Sequence, residues 1–313
     1  MTIEKFSVNS AFDGLELSWV AYLPEGGRDA AKGIFQILHG MCEYKERYDG
    51  FMRFLAENGF VAVAHDHRGH GESVKEKSDL GYFYERTGTT IVKDAVCVTE
   101  EVKKKYEGLP VVLMGHSMGS MVARCYLGES EALAGLVVSG SPSENPMAEA
   151  GIVLTKVIGF FKGERHRSGT LRKLTLGGGD KAFPGEGKNA WLTRDKAIVE
   201  KYNADEKCSF VFTVNGFENL LRLMDRTYDD ATYKVGNPDL PIFFVAGSAD
   251  PIIVDEDSWA EAQAALRTVG YKKVSGKLYH GMRHEVLNEQ GKEEVYQDIL
   301  RFANECICPP RKK

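Results

Sequence analysis

The sequence VVLMGHSMGSM, residues 111–121, joins a continuous apolar run to a serine that two glycines flank. Val111–Met114 is typical of a buried parallel strand, and the apolar residues after Ser117 recur on one face of a helix. Gly115 and Gly119 have no Cβ, which a sharp and closely packed turn requires. The stretch therefore predicts a strand–turn–helix unit that lifts the Ser117 hydroxyl above a sheet, next to a helix N-terminus.

Short apolar runs of the same kind recur on both sides of this unit. Alternating segments at Ile3–Val8 and Leu15–Tyr22, separated by Asp13-Gly14, predict an antiparallel hairpin. Helical patterns at 91–106, 118–127, 257–268 and 289–305 alternate with the continuous runs Ile34–Leu38, Val61–Ala64, Val111–Met114, Leu136–Val138, Ile242–Ala246 and, more weakly, Lys277–Tyr279. This order predicts an α/β fold with about eight mostly parallel strands, an N-terminal antiparallel hairpin and helices on both faces of the sheet.

One interval between two core strands is much longer than a crossover helix needs. It holds an apolar segment (Ile152–Phe161), a glycine-rich patch (Gly177–Gly179) and an amphipathic stretch (Phe210–Met224). We predict that residues 142–238 form an inserted, mainly helical cap, and that residues 1–141 and 239–313 together form the core domain.

The composition indicates a globular protein and excludes several classes of function. Of 313 residues, 43% are hydrophobic and 27% are charged, which excludes a disordered or collagen-like chain. The net charge of -5 argues against a nucleic-acid partner. The six cysteines lack the paired spacing of a zinc site, and the N-terminal segment lacks a signal-peptide pattern. We therefore expect free thiols and a cytoplasmic location; the sequence indicates no oligomeric state.

Ser117 needs a base and an orienting acid, because a hydroxyl alone is a poor nucleophile. Where a serine occupies such a turn, the chain order is serine, acid, histidine. Asp250 directly follows the apolar run Ile242–Ala246 and is the favoured acid. Asp255 and Asp257 are alternatives, but their positions at the start of a predicted helix are typical of capping residues.

Two histidines follow the last predicted strand. His280 lies at the end of the strand, whereas His284 lies in the loop three residues after Gly281. A loop position gives the imidazole the reach to approach the serine, so we favour His284 as the base. His280 remains the alternative.

The oxyanion that forms during acyl transfer needs backbone N–H donors. One donor is expected from Met118, which follows the nucleophile. The other is expected from the loop 39–43 after the first core strand, where Met41 is the candidate and Gly40 gives the chain freedom to turn.

These motifs together resemble the α/β-hydrolase superfamily, and within it the monoacylglycerol lipases and lysophospholipases. The matching segments are LHGMCEY at 38–44, HDHRGHGES at 65–73, GHSMGS at 115–120, and GSADPIIV followed by YHGMRHEVLNE at 247–289. The resemblance implies the α/β-hydrolase fold, His284 as the base, Met41 and Met118 as oxyanion donors, and a monoacylglycerol or lysophospholipid substrate. Such lipases often carry a small residue after His-Gly, so we expect Met41 and Cys42 to narrow the pocket.

The candidate residues predict a serine hydrolase that cleaves carboxylic esters of small molecules or lipids. Ser117, His284 and Asp250 would act through an acyl-enzyme, without a metal or an organic cofactor. A short-chain carboxylesterase, a thioesterase or a prolyl aminopeptidase would use the same residues, because pocket shape and not the motif sets the substrate. A ligand receptor that kept the fold and lost turnover is the alternative of another class.

The cap and one core loop carry further candidates. Aromatic residues that suit either an acyl pocket or the cap's own core are Trp191, Phe210, Phe212 and Phe217. Basic residues that suit either transient contact with a membrane surface or a solvated helix end are Lys162, Arg165, Arg167, Arg172 and Lys173. His65 and His67 have the spacing of a metal pair without a third ligand, so we expect Asp66 and Arg68 to brace their loop.

Overall fold

The computed structural model describes residues 1–130 and 133–307, and an eight-stranded sheet lies at its centre. The strands are β1 (Thr2–Asn9), β2 (Glu16–Leu23), β3 (Gly33–Leu38), β4 (Phe60–His65), β5 (Val111–His116), β6 (Gly135–Ser139), β7 (Pro241–Gly247) and β8 (Lys273–Tyr279). They are arranged in the order β1-β2-β4-β3-β5-β6-β7-β8. β2 pairs antiparallel with both β1 and β4, and the remaining pairs are parallel. The predicted fold class and N-terminal hairpin are confirmed.

Helices pack on both faces of the sheet and explain the continuous apolar runs. The core helices are α1 (Asp49–Glu57), α2 (Thr90–Lys105), α3 (Met118–Tyr126), α8 (Glu256–Thr268) and α9 (Lys292–Ile307). Within β3, Ile34 and Leu38 join the apolar cluster that includes α2, α3 and α8, whereas Phe35 and Ile37 join the cluster that includes α1 and α9. Because both faces are covered, every residue of β3 is buried and apolar side chains predominate, with Gln36 as the polar exception.

The sequence patterns indicate only the end of β8 and do not indicate α1, and both differences have a physical reason. β8 begins at Lys273, four residues before the weak apolar run, because it lies at the edge of the sheet and most of its side chains are exposed or half-buried. α1 was not singled out, although its buried residues Phe51, Met52 and Leu55 follow helical spacing. A short helix with one buried stripe gives a weak signal beside the strands.

The chain between β6 and β7 forms four helices, and the predicted boundaries 142–238 enclose them. These are α4 (Ala148–Lys162), α5 (Gly169–Ala182), α6 (Lys196–Ala204) and α7 (Val214–Tyr228). α7 packs against both α4 and α3. The glycine-rich patch is part of α5, where a Cβ on Gly179 would lie 2.9 Å from the Trp191 indole. The glycine therefore allows α5 to approach this ring closely.

One surface of α4 is apolar and exposed. The exposed fractions are 59% for Val153, 48% for Val157, 84% for Phe160 and 78% for Phe161. Large apolar side chains grouped in this way are uncommon on a protein surface and often mark a site of interaction. Among the helices that the structure describes, none is long and apolar enough to cross a membrane.

Four histidines are buried together beneath the loops that follow β3 and β4. The ring of His39 lies 4.5 Å from that of His67 and 5.1 Å from that of His70, and the rings of His65 and His67 are 4.8 Å apart. Neither ring nitrogen of His65 or His67 has a hydrogen-bond partner among the described residues. Burial lowers the pKa of His65 to about 3 and that of His70 to about 4, and it lowers the pKa of His39 and His67 as well. All four are therefore neutral at physiological pH.

This cluster predicts that the protein loses stability as the pH falls below about 6.5. The unfolded chain binds protons at these histidines in that range and the folded chain does not, which costs about 1.4 kcal/mol per histidine at pH 5.5. His65→Leu should therefore weaken the fall in the free energy of unfolding between pH 8 and about 5.5, as measured by urea denaturation. His280→Gln, at an exposed position, is the matched control and should leave the slope unchanged. An identical slope in wild type and His65→Leu would contradict this account.

Candidate active site

The turn between β5 and α3 holds Ser117 in a conformation that few residues adopt. Its φ is +53° and its ψ is -118°. A Cβ on Gly115 would lie 2.1 Å from the carbonyl oxygen of Gly119, and one on Gly119 would lie 2.1 Å from that of Leu38. Both positions therefore require glycine, as the sequence pattern predicts, and the turn lies tightly against the end of β3.

Asp250 follows β7 and contacts the imidazole of His284. Its Oδ2 lies 2.8 Å from His284 Nδ1, and its Oδ1 accepts a hydrogen bond of 2.9 Å from the Ile252 amide. The carboxylate is buried. The alternative Asp255 instead caps α8 by accepting from the Ser258 amide at 2.8 Å, and Asp257 is exposed in the first turn of that helix.

The imidazole of His284 is packed between two other rings. The His116 ring lies 4.6 Å away and the Trp191 ring 5.0 Å away. Gly140, with a φ of +53°, gives it room, because a Cβ there would lie 3.1 Å from Cε1 of His284. The alternative His280 is exposed and does not line the cavity that contains Ser117. The structure thus brings His284, and not His280, to the candidate acid.

The charges around His284 favour its protonated form. Burial lowers the pKa of this imidazole, but the Asp250 carboxylate, with help from Glu285 and Glu43, more than offsets that effect and raises the pKa above its usual value. A base that gains a proton during nucleophilic attack is stabilised by such a setting. As the pH falls, His284 therefore loses its neutral form, which must accept the proton of Ser117, at a higher pH than a histidine with the usual pKa.

The two candidate oxyanion donors lie beside Ser117. Met118 begins α3, and Met41 lies in the loop after β3, where a Cβ on Gly40 would lie 3.1 Å from that of Ser117. Within the described residues, neither the Met41 nor the Met118 amide is hydrogen-bonded to another group. Cys42 has a φ of +57° and donates from its thiol to the Phe210 carbonyl at 3.4 Å. Free amides at this turn are suited to binding negative charge.

One cavity contains Ser117 and His284 and is lined by both apolar and polar side chains. The apolar lining residues include Met121, Pro142, Phe217, Leu220, Leu221, Met224 and Ile252. The polar and charged lining residues include Arg172, Thr175, Lys188, Asn189 and Ser209. Met41 and Cys42 also line the cavity. A cavity that offers both kinds of side chain suits an amphipathic molecule better than a uniformly polar one.

Not every predicted aromatic residue reaches this cavity. Trp191, Phe210 and Phe217 line it. Phe212 does not, since it is fully buried with its ring 5.3 Å from those of both His70 and Phe83. It therefore belongs to the packing between the cap and the core loops.

An ion-pair network that the sequence reasoning missed joins the two loops of the site. Arg47 donates to both carboxylate oxygens of Glu285, at 2.7 and 2.8 Å, and lies 3.4 Å from Oε2 of Glu43. The Tyr48 hydroxyl donates to Glu43 at 2.8 Å. Glu285 directly follows His284 in the chain, and Glu43 lies in the same loop as Met41. Arg47 therefore links the loop that carries His284 to the loop that carries Met41.

The two carboxyls around Arg47 differ in their pKa values. Burial raises the pKa of Glu43 to about 7, because Arg47 offsets the desolvation only in part and the negative charge of Glu285 adds to it. Burial acts in the same direction on Glu285, but Arg47 overcomes it and holds that pKa at about 2. Glu285 is therefore the charged partner of Arg47, and Glu43 is the carboxyl of the two whose neutral form burial favours.

The remaining predicted candidates hold loops in place. Among the described residues, no group of three or more side chains could hold a metal ion, so the His65/His67 pair has no third ligand. Asp66 binds the Lys45 ammonium at 2.7 Å, and Arg68 binds Asp94 at 2.6 Å, as the bracing role predicts. From the basic group of the cap, Arg165 pairs with Asp79 and Arg167 donates to the carbonyls of Ser78 and Val211.

Comparison with known proteins identifies the family. Residues 29–291 match the model of the α/β-hydrolase family Hydrolase_4, described as serine aminopeptidase, S33. This match spans most of the chain, so the protein belongs to that family. The fold, the strand–turn–helix unit and the order of the candidate residues agree with this membership.

Curated relatives and solved structures are similar over nearly the whole chain. The chain is 27% identical to monoglyceride lipase from Homo sapiens, over 82% of this chain and 77% of that protein. It is 24% identical to monoacylglycerol lipase from Mycolicibacterium smegmatis, over 87% and 88% of the two chains. The crystal structure of a thermostable carboxyl esterase from Bacillus coagulans superposes with a TM-score of 0.88 at 26% identity, over 98% of this chain and 99% of that one.

The network around Arg47 predicts that Arg47→Gln impairs both folding and reaction at the site. Removing one partner of a buried ion pair leaves Glu285 without its countercharge and should cost about 3 kcal/mol of unfolding free energy. Displacement of the loops should slow ester turnover about 100-fold, measured at a temperature where the variant remains folded. Arg53→Gln, which breaks a half-exposed pair with Asp49, is the control and should change neither quantity appreciably. Wild-type turnover in Arg47→Gln would refute the positioning role.

Proposed function

We propose that this chain is a serine hydrolase that cleaves carboxylic esters of lipids, with monoacylglycerols or lysophospholipids as its substrates. The observation that carries the proposal is the buried pair of Asp250 and His284, 2.8 Å apart, in one cavity with the strained Ser117. The names of the relatives support the same chemistry, since monoglyceride lipases and a carboxyl esterase are among the most similar proteins.

The proposed mechanism uses five residues. Ser117 attacks the ester carbonyl while His284 Nε2 takes the hydroxyl proton, and Asp250 holds the Nδ1–H and stabilises the cation. The Met41 and Met118 amides donate to the oxyanion. The imidazolium then passes its proton to the leaving alcohol, which leaves an acyl-Ser117. Water repeats the sequence on this acyl-enzyme and releases the carboxylic acid.

The lining of the cavity supports a lipid ester rather than a small one. Methionine and leucine side chains from α3 and α7 line the cavity and can pack against an acyl chain. Its hydroxyl, amide and basic side chains can bind the polar alcohol part. A short-chain esterase or a thioesterase would use the same catalytic residues but would bury less apolar substrate surface against this lining.

Aminopeptidase activity, which the family description also brings to mind, is less well served by this cavity. A carboxylate near the scissile bond would attract the N-terminal ammonium group of a peptide substrate. Of the described residues that line the cavity, only Glu43 carries a carboxyl, and it is bound to Tyr48 and Arg47. The positive charges of Arg172 and Lys188 would repel an ammonium.

We further propose that the cap contacts a lipid surface through the exposed apolar side of α4. Phe160 and Phe161 are its most exposed residues, and Lys162 and Arg165 follow them. Aromatic side chains beside cations are suited to the boundary between acyl chains and headgroups. Such contact would bring the cavity to the layer in which lipid esters reside.

The triad predicts large and unequal losses of activity on substitution. Ser117→Ala should lower turnover of 1-monoacylglycerols by a factor on the order of 10⁶, and Asp250→Asn by about 10⁴ through loss of the correct tautomer. The measurement is kcat and KM on p-nitrophenyl esters of increasing chain length, 1-monoacylglycerol and lysophosphatidylcholine. His280→Ala is the control and should remain active. Near-normal turnover in Ser117→Ala would overturn the assignment, and activity confined to acetate and butyrate esters would replace the lipase by a small-ester esterase.

The membrane contact predicts a selective loss of vesicle binding. Replacing Phe160 and Phe161 together by serine should weaken co-sedimentation with anionic phospholipid vesicles at least tenfold, because two large apolar side chains no longer leave water. Turnover of water-soluble p-nitrophenyl butyrate should stay the same. Phe12→Ser, at a 55% exposed position on the β1–β2 turn, is the matched control. Equal vesicle binding by all three proteins would exclude this surface.

A further inference from the structure

A short segment of the cap, residues 188–194, contacts both the cavity and the loop that carries His284. The cavity is lined in part by four residues of this segment, Lys188, Asn189, Trp191 and Leu192. The Trp191 carbonyl accepts a hydrogen bond of 3.3 Å from the His284 amide, and the Leu192 carbonyl accepts one of 2.7 Å from the Glu285 amide. The part of the cap that faces a bound substrate therefore also holds the backbone of the candidate base.

One buried carboxylate joins this cap segment to the histidine loop. The side chain of Glu289 is fully buried, and both of its oxygens accept hydrogen bonds. Oε1 accepts from the backbone amides of Arg194 at 3.0 Å and Arg283 at 2.9 Å. Oε2 accepts from Nε of Arg194 at 2.9 Å and from the Gln290 amide at 3.0 Å. Glu289 thus binds the cap through Arg194 and the residue directly before His284 through its amide.

Two arginine side chains reinforce the same connection from opposite directions. Arg283 donates to the Ala190 carbonyl at 2.7 Å and to both carboxylate oxygens of Glu186 at 2.9 Å. In the other direction, Arg194 of the cap donates to the Gln290 carbonyl at 3.0 Å. The backbone on either side of His284 is therefore held by partners in the cap, and its position depends on where residues 188–194 lie.

We propose that Glu289 is a positioning residue that couples the cap to the base, so that His284 is held within reach of Ser117 while residues 188–194 contact its loop. This inference rests on the proposed ester hydrolysis at Ser117. Neither Glu289 nor Arg194 is among the described residues that line the cavity, so both act through the loop and not by touching substrate. A displacement of the base by about 1 Å is enough to slow such a reaction strongly.

This coupling gives the cap a part in the reaction besides covering the cavity. With the segment in contact, the carbonyls of Trp191 and Leu192 hold the loop while Asp250 holds the imidazole of His284. With the segment displaced, buried backbone amides and the Glu289 carboxylate lose partners, which is unfavourable. The triad is therefore assembled most completely when the cap lies against the histidine loop.

Glu289→Gln tests the positioning role. The amide keeps the size of the side chain but places an NH2 donor against the donors of Arg194, Arg283 or Gln290. On p-nitrophenyl butyrate, at a temperature where circular dichroism shows the variant folded, kcat should fall about 100-fold while KM changes less than about threefold. Glu294→Gln is the matched control, because it makes the same change at a 62% exposed carboxyl that pairs with Lys277, and it should leave kcat unchanged.

The pH profile separates positioning from a purely structural role. Burial lowers the pKa of His284, and the Asp250 carboxylate at 2.8 Å raises it by more. A looser contact between the two in Glu289→Gln should move the acid limb of kcat/KM to lower pH, because the imidazole is then protonated less readily. The other titratable groups near His284 are the same in both proteins: His116, Glu43 and Glu285. A variant that only unfolds more easily keeps the acid limb of the wild type.

Arg194→Met tests the contribution of the cap. It removes the guanidinium donor to Glu289 and Gln290 but keeps the backbone amide at this position. We expect kcat to fall about tenfold, with the acid limb moved in the same direction as in Glu289→Gln. Arg194→Lys retains a cation that can donate to Glu289 and should recover most of this loss.

The outcomes separate this inference from the proposed function. A wild-type kcat or an unshifted acid limb in Glu289→Gln overturns the positioning role. A loss in Glu289→Gln without one in Arg194→Met overturns the coupling to the cap, because Glu289 would then act within its own loop. Both results leave the ester hydrolase standing, whereas absence of Ser117-dependent turnover of any ester by the wild type refutes the proposed function itself.

Discussion

The geometry of the site depends on one close approach, in which the start of α3 lies against the end of β3 with no space for a Cβ at Gly119. A side chain there would meet the Leu38 carbonyl oxygen at 2.1 Å. This contact brings together Ser117, the first amide of α3 and the loop that carries Met41. Because β3 and β5 are adjacent parallel strands, their carboxyl ends lie at the same edge of the sheet. Ser117 and the Met118 amide are thereby held where β5 meets α3, beside the loop that carries Met41.

Buried charge then links this edge to the histidine loop. Asp250 stabilises the cationic form of His284. The neighbouring Glu285 binds Arg47, which links it to the loop that carries Met41. Charges in a dry interior interact strongly only if their geometry is maintained, so displacement of one loop would disturb the other. Burial in the same interior raises the pKa of Glu43, which favours the neutral form of this carboxyl.

The sequence predicts those elements whose signal lies within a short stretch of chain, such as the buried strands and the motif around Ser117. Continuous apolar runs located five strands because those strands are covered on both faces, and alternating segments located β1 and β2. The edge strand β8 was recognised only near Tyr279. The motif and chain order predict Ser117, Asp250 and His284 as the triad; Asp250 and His284 are in contact, and His284 lines the same cavity as Ser117. Arg47 was missed because its partner Glu285 is 238 residues away. The one sequence feature that pointed to this ion pair was Glu285, the acidic residue directly after His284.

Packing partners were likewise beyond the sequence pattern. The His284 ring lies 5.0 Å from that of Trp191 and fits closely over Gly140, and neither residue belongs to a recognisable motif. Phe212 was grouped with the cavity aromatics, although it is buried against His70 and Phe83. The contacts of Trp191 and Phe212 depend on how residues 142–238 pack against the loops of the sheet, which short-range periodicity does not encode.

The most direct test of the central claim is the pH dependence of fluorophosphonate labelling, with the adduct located by peptide mass spectrometry. The account predicts a single adduct on Ser117 that forms more slowly as His284 becomes protonated, at a pH above its usual pKa of 6.5. No adduct, or one on another residue, would contradict it.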